Sequence, residues 1–447
     1  MGKIPGIRGP AFIQTRQLRI AKLAKCPEPR ALTSLAHHID VFWMHEAYKR
    51  TRKDGAVGVD GETAAEFEKD LTGNLKTLVE ELKSGNFKAQ PVKRKMLEKA
   101  DGGQRPIGIP TLRDKIMQRA VVMVMEPLYE QVFHDFSHGF RPGRSMHQTI
   151  EVMRNLLWER RGGWLVEVDI RGFFDNIDHR KLRECLDIRM RDGVLRRAID
   201  KWLRAGALDG ETLYTFEEGT PQGGVISPIL SNIFLHEVMD DWFVKDVMPR
   251  VSSAKMIRYA DDLIMIFDTK AEAERVLEVT RKRFAKFGLE LHPEKTRIVN
   301  FRKPPWKGYA KGEKPGTYDF LGFTFYWYRC RKGTWIIGNK TRRKSFRGGL
   351  RNISEWCAKH RHKKVLWQHK ELGQKIQGHY SHFAIPGNSR SLSLYLYQVK
   401  RIWGFWLRRR SQKKHLSWKV FYERLTRNPL PAPRIARHRR PSAKLPS

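Results

Sequence analysis

Between Met256 and Phe267 two apolar runs flank a pair of adjacent carboxylates, Asp261 and Asp262, with neither Gly nor Pro at the join. The pattern predicts two short buried strands meeting at Tyr259 to Asp262, a hairpin with acid at its tip. A second strand is read over Trp164–Ile170. Period-two geometry sets Trp164, Val166, Val168 and Ile170 on one face, and puts Asp169 at the strand's end. Gln90 to Pro110 alternates like a hairpin turning at Gly102-Gly103, and Leu289–Val299 reads as strand, turn and strand. Tyr318–Tyr326 reads as one aromatic strand.

Helical spacing accounts for most of the remainder. Residues 111–133 form a helix broken near Pro127, Ile229 to Met239 another, and Lys270 to Phe287 a basic amphipathic one. Thr63 with Glu66 has the form of a capping box, and Asp178 that of an N-cap. Towards the C-terminus Leu372, Ile376, Tyr380 and Phe383 share one stripe. Leu392, Tyr395, Val399, Trp403 and Leu407 share another, after an Asn388-Ser389 cap.

Composition then divides the chain. Its 447 residues suit roughly three domains, and 40% hydrophobic with 30% charged residues describes a globular protein. Residues 326–447 hold 31 basic and 3 acidic side chains, a net of +28 out of +38. Interleaved with Trp, Tyr and Phe, such an excess suits a polyanion surface, nucleic acid above all. We therefore divide the chain into 1–85, an N-terminal extension; 86–329, a mixed α+β region; 330–429, a basic helical region; and 430–447, a flexible basic tail. The first 27 residues lack acid, as in an RNA-contacting extension or an organellar transit peptide. The four cysteines form no C-x-x-C pair, which argues against a zinc module or disulfide framework and fits a reducing, cytoplasmic setting. No apolar run approaches the ~18–20 residues of a membrane span.

Two adjacent carboxylates at the edge of a core are costly unless a cation joins them, although an acidic tip taken alone suits an ordinary polar turn equally well. Asp169 adds a third carboxylate from another strand. Lys99 and Arg105, on the two limbs of the Gln90–Pro110 hairpin, form a fork for an anion such as a triphosphate. Gly219-Thr220-Pro221-Gln222-Gly223-Gly224 offers backbone N–H groups for close approach to a nucleotide. Arg141 and Arg144 lie on a Gly/Pro loop ahead of a helix, a phosphate-binding arrangement. The loop Gly55 to Gly61 lacks the G-x-G-x-x-G spacing and a preceding strand, so it is read as a turn and not a dinucleotide site. Such a set suits phosphoryl transfer with two Mg²⁺ ions.

In order along the chain, these segments resemble the reverse transcriptases encoded by group II introns, which double as maturases. Tyr259-Ala260-Asp261-Asp262 is similar to the family's Tyr-x-Asp-Asp box. Gly58-Val59-Asp60-Gly61, Arg105 to Pro110, Gly139 to Ser145, Asp169 to Asp175, Gly219 to Pro228 and Phe320 to Phe323 match successive blocks. The likeness is tight over residues 50–325. It runs more loosely to 435, where Ile376 to Tyr380 and Asn428 to Pro431 resemble the maturase region called domain X. The resemblance implies a right-hand polymerase of fingers and palm, followed by an α-helical thumb and domain X. It implies an RNA-directed DNA polymerase that also promotes intron splicing and retrohoming. The partners implied are intron RNA, a DNA target and primer, and dNTPs, with nucleoid association when acting on DNA; monomer and dimer both stay open. Carried over by position, Asp169, Asp261 and Asp262 are catalytic and, with the Ile170 carbonyl, hold the metals. Phe174 is the gate against a ribose 2′-hydroxyl, Gln222 contacts the nucleotide, Lys99 and Arg105 its triphosphate, and Lys295 the active-site side of the palm. Leu97-Glu98-Lys99 departs from the family's Ile-Pro-Lys, and no Cys/His-rich endonuclease module follows domain X, as in the endonuclease-lacking type. A domesticated relative serving repair or phage defence, and a splicing maturase with secondary polymerase activity, are the alternatives.

Overall fold

The structure is a computed structural model that describes residues 10–25, 31–98, 104–209, 212–214, 219, 223–305, 316–410 and 416–435, with only the backbone of Pro10, Glu98 and Arg105. Two compact units emerge, and they do not coincide with the four segments drawn on the sequence. One comprises residues 1–97, 104–149 and 163–298, the other 98–103, 150–162 and 299–447.

The first unit opens with α1 (Pro10–Ala24), α2 (Val41–Arg50), α3 (Ala64–Glu68) and α4 (Leu71–Ser84). α3 starts with the expected capping box, Thr63 and Glu66 each satisfying the other's backbone N–H. Strands β1 (Val92–Glu98) and β2 (Gln104–Ile109) are the limbs of the expected hairpin, its tip at 99–103 lying outside the described residues. α5 (Leu112–Tyr129) then runs through the core, with Ala120 to Met125 buried in unbroken succession.

Contrary to expectation, α5 is not broken at Pro127. Pro has no N–H for the carbonyl four residues back, that of Met123. Gln17 on α1 donates its side-chain amide to this carbonyl at 3.1 Å, and the helix ends two residues after the proline. α6 (Met146–Glu159) crosses the division between the units.

β3 (Trp164–Val168) begins the strand that ends in Asp169, and Asp178 caps α7 (His179–Asp187) through Arg180 N and Lys181 N, as read from sequence. α8 (Gly193–Arg204) leads to β4 (Ala207–Asp209) and β5 (Thr212–Tyr214), which join β1 and β2 in a sheet ordered β2-β1-β4-β5. Three-residue strands carry too few positions to show alternation, and neither was foreseen. α9 (Ser227–Leu235) continues into π-helical turns at His236–Asp240 and Phe243–Val247, well beyond the expected end at Met239. The acidic hairpin is β6 (Ala254–Tyr259) and β7 (Asp262–Phe267). α10 (Lys270–Lys286) and β8 (Arg297–Asn300) follow, and the sheet order is β6-β7-β3-β8.

In the second unit the single aromatic strand read over 318–326 is a hairpin, β9 (Tyr318–Phe320) and β10 (Phe323–Arg329). Leu321 and Gly322 turn it with φ of +50° and +82°, the two left-handed residues of a type I′ hairpin loop. β11 (Trp335–Thr341) completes a sheet ordered β11-β10-β9. Four helices follow: α11 (Arg343–His360), α12 (Val365–Phe383), α13 (Ser389–Arg408) and α14 (Trp418–Arg427). Both predicted stripes are buried, Leu372 and Ile376 on α12 and Leu392, Val399 and Trp403 on α13 among them. Of the proposed tail, Leu430 is buried and Pro431 accepts from the Tyr380 hydroxyl, while residues 436–447 lie outside the described residues.

Asn388 precedes α13 but does not cap it. Its side chain is buried, accepting from Thr341 N and donating to Thr341 Oγ1 and Phe383 O, each at 2.9 Å. Asn388→Ala would remove three buried hydrogen bonds, although Phe383 O keeps the one from Ile385 N, so a loss of about 3 kcal/mol is expected, against about 1 kcal/mol for Thr63→Ala at an exposed cap. Urea denaturation of the two variants, compared with the parent chain, measures the difference.

Candidate active site

The carboxylates converge through strand register. β3 pairs antiparallel with β7 from Trp164↔Phe267 to Val168↔Leu263, so the next positions along are Asp169 and Asp262. β7 also pairs with β6, from Ala254↔Phe267 to Tyr259↔Asp262, leaving Ala260 and Asp261 as a two-residue turn. Every residue from Leu263 to Phe267 is buried, which fixes the hairpin and with it the position of the tip. Asp169 and Asp261 are half-buried and Asp262 is exposed.

Past β3 the chain stays extended. Asp169 O accepts from His292 N and Arg171 N donates to Glu290 O, both at 2.8 Å, bracketing the bridge Ile170↔Leu291. Ile170 and Leu291 are therefore the pair without mutual hydrogen bonds, and the Ile170 carbonyl is directed away from that segment. Lys295 Nζ lies 3.4 Å from Asp169 Oδ1. Carboxylates and a carbonyl offer only oxygen, the donor type that suits a hard divalent cation such as Mg²⁺.

Phe174 lies on the turn Phe173–Asp175, its ring edge-on to the buried Phe173 with centroids 5.3 Å apart. That turn abuts the Gly219 loop. A Cβ on Gly219 would stand 2.7 Å from Asp175 O, Gly219 N donates to Ile177 O, and His179 Nε2 meets Gly219 O at 2.5 Å. On the far side of the loop, a Cβ on Gly223 would stand 2.4 Å from Gly108 O on β2. Gln118 Oε1 accepts from Val225 N and Ile226 N. Gln222 and Lys99 themselves lie outside the described residues, as does the side chain of Arg105. The anchors on each side nonetheless bring the Gly219 loop, the Phe174 turn and β2 together. The Gly58 loop is a packed turn, since a Cβ on Gly58 would stand 2.6 Å from Thr111 Cα.

The loop carrying Arg141 and Arg144 departs from its reading as a phosphate site. Arg141 is buried, bonded to both Glu130 oxygens and to the carbonyls of His134 and Ser137, and Arg144 pairs with Asp135. Both guanidiniums are engaged by the protein itself. His138 beside them is pushed down to about 4, first by burial and then by these two arginines. What the loop does is brace the acidic tip. His138 N donates to Arg258 O, Arg258 N donates to Phe136 O, and a Cβ on Gly139 would stand 2.3 Å from Ala260 N.

Sequence reading missed the residue at the centre of this support. Arg258 is fully buried on β6, and its guanidinium binds both oxygens of the equally buried Asp240, at 2.8 and 2.5 Å. It also donates to Asn232 Oδ1 at 2.9 Å and to Ala260 O at 3.0 Å. Asn232 Nδ2 continues the chain of bonds to Gly139 O at 2.7 Å. The signal was present: an arginine directly after the apolar Met256-Ile257 of a buried hairpin requires a buried acid.

A model of the family described as reverse transcriptase (RNA-dependent DNA polymerase) matches residues 97–325, just over half of the chain. This chain belongs to the reverse transcriptase family. Protein YkfC of Escherichia coli strain K12 is 35% identical over 290 residues, 57% of this chain and 76% of that protein. Group II intron-encoded protein LtrA of Lactococcus lactis subsp. cremoris is 41% identical over 182 residues, 40% of this chain and 30% of LtrA. A 91 kDa protein in the cob intron of Schizosaccharomyces pombe is 40% identical over 172 residues, 38% of this chain and 21% of that protein. The chain thus matches three quarters of the first relative and under a third of the other two. These relatives bear out the resemblance to group II intron-encoded reverse transcriptases, and the family implies a fingers-and-palm fold and the use of divalent ions. Among the described residues no helix is long and apolar enough to cross a membrane.

The close approach at Gly139 predicts an asymmetry between two glycines of one reverse transcriptase loop. Gly139→Ala drives a methyl into the Ala260 backbone and is expected to cost about 3 kcal/mol. Gly143→Ala has open space but a φ of +71° and is expected to cost only about 1 kcal/mol. Denaturant melts of the two variants separate the contributions.

Proposed function

We propose that this reverse transcriptase copies RNA into DNA at the end of the β6-β7-β3 sheet, and that its RNA partner is a group II intron whose splicing it assists. The observation that carries the reading is the register that sets Asp169 beside the Asp261-Asp262 tip. Asp169, Asp261 and the Ile170 carbonyl hold two Mg²⁺ ions, with Asp262 beside them. When bound, these ions neutralise the triphosphate and stabilise the attacking and leaving oxygens of an in-line displacement.

The remaining groups position the nucleotide. Lys99 and Arg105 take the triphosphate, Gln222 contacts the incoming nucleotide, and Lys295 sets the charge beside Asp169. Phe174, stiffened by Phe173 and by the adjoining Gly219 loop, closes off the space of a ribose 2′-hydroxyl, so that deoxynucleotides are preferred. The helices after β11 act as thumb and domain X.

RNA binding by the second unit is supported by a feature of α13 beyond its net charge. Tyr397, Arg401, Phe405 and Arg409 recur every fourth residue, and all four are exposed. Arg409 lies over the Phe405 ring at 4.2 Å and Arg401 over Tyr397 at 5.8 Å. Alternating rings and guanidiniums on one helix face give unpaired bases something to stack on and phosphates something to pair with.

Two measurements test the proposal. Asp261→Asn should lower Mg²⁺-dependent dNTP incorporation on an RNA template on the order of 10³-fold while leaving the melting temperature unchanged; an active variant would remove the catalytic assignment. Replacing Arg401 and Arg409 together by Gln should weaken RNA binding and flatten the salt dependence by about 0.7 for each phosphate no longer neutralised, as filter binding across a salt series would show.

A further inference from the structure

The acidic tip needs something to hold it, and the structure assigns this task to Arg258. We propose that it is a positioning residue for DNA synthesis, acting through the Ala260 carbonyl on Asp261. The inference rests on the reading of Asp169 and Asp261 as the ion-holding pair.

The tip is held in a conformation that it would not choose. Ala260 has a φ of +56°, a left-handed backbone in which a Cβ is unfavourable and which persists only where the surroundings over-determine it. The surroundings here are specific. Arg258 Nη1 donates to both Ala260 O and Asn232 Oδ1. Asn232 Nδ2 holds Gly139 O, and Gly139 in turn abuts Ala260 N. The turn is thereby gripped on its carbonyl side by a guanidinium and on its amide side by a backbone that only glycine permits. Asp261 is the next residue.

Two of Arg258's jobs are separable. Its Nε and Nη2 neutralise Asp240, which is a matter of fold stability. Nη1 fixes the turn, which is a matter of where the Asp261 carboxylate stands. Lysine can satisfy the first task as a point charge but lacks the planar fork for the second. Removing both buried charges together is often neutral for stability, so the positioning role can be stripped from a folded protein. Ligand placement to within a fraction of an ångström governs ion affinity and rate, so the loss should appear in both.

The test uses the full chain and three variants: Arg258→Lys, the double change Arg258→Met with Asp240→Leu, and Asn232→Ala. Each is examined by thermal melt, by steady-state dNTP incorporation on an RNA template with DNA primer, and by Mg²⁺ titration of the rate. We expect folded Arg258 variants to lose kcat roughly 10- to 100-fold and to need roughly tenfold more Mg²⁺ for half-saturation, with the KM for template-primer unchanged. Folded variants with parental kcat and Mg²⁺ requirement would overturn the inference. If the double variant does not melt cooperatively, Asn232→Ala and Arg258→Lys decide by the same readouts. An inactive parent chain would instead overturn the polymerase reading itself, and this inference with it.

Discussion

The ion pair between Arg258 and Asp240 is the constraint on which the rest of the site depends. Neither side chain is exposed to any measurable extent, and taking two charges out of water costs several kcal/mol per ion unless the geometry is close to ideal. The cost is offset because both carboxylate oxygens are bonded and the spare guanidinium N–H groups find Asn232 and Ala260. Three elements distant in sequence meet at this pair: α9 with its π-helical extension, strand β6, and the loop before α6. The π-helical turn that ends at Asp240 contributes directly, since an inserted residue in a helix re-aims the side chains that follow. A helix that stayed regular from Ser227 onwards would present a different face to β6.

Much of the architecture could be read from the chain because it rests on short-range periodicity. Both limbs of the acidic hairpin, the strand ending in Asp169, α10, the capping box at Thr63 and the N-cap at Asp178 are all written within a few residues of themselves. Several of the failures come from partners that lie outside the local pattern. Pro127 looked like a helix breaker because the donor that rescues Met123 O sits on Gln17, 106 positions earlier. Asn388 looked like a cap because Thr341, 47 positions away, could not be seen holding it. Arg141 looked available for phosphate because its bond to Glu130 depends on how the loop folds back. For the candidate site, the three carboxylates and Lys295 could be proposed from sequence chemistry, whereas the bonds that brace the tip could not.

The distribution of charge follows the same division of labour. Within the first unit, cations near the site are engaged by neighbouring acids: Arg141 by Glu130, Arg144 by Asp135, Arg297 by Glu167. In the second unit, acids are too few to do this. Residues 326–447 have three carboxylates for thirty-one cations, and several guanidiniums lie over aromatic rings instead, as with Arg408 over Trp418. A cation resting on a ring keeps its charge available to a polyanion, because the ring's quadrupole attracts without neutralising.

The bond from Gln17 to Met123 has a consequence for how the protein breathes. A helix packed at the edge of a domain ordinarily opens on its own, at a fraction of the global unfolding free energy. Here, detaching α1 withdraws the donor from a buried carbonyl in the core helix, adding about 1–3 kcal/mol to that excursion. Fraying of α1 and loosening of the last turns of α5 are therefore a single cooperative event. In amide exchange the two helices are expected to open together, although α2 to β2 lie between them along the chain.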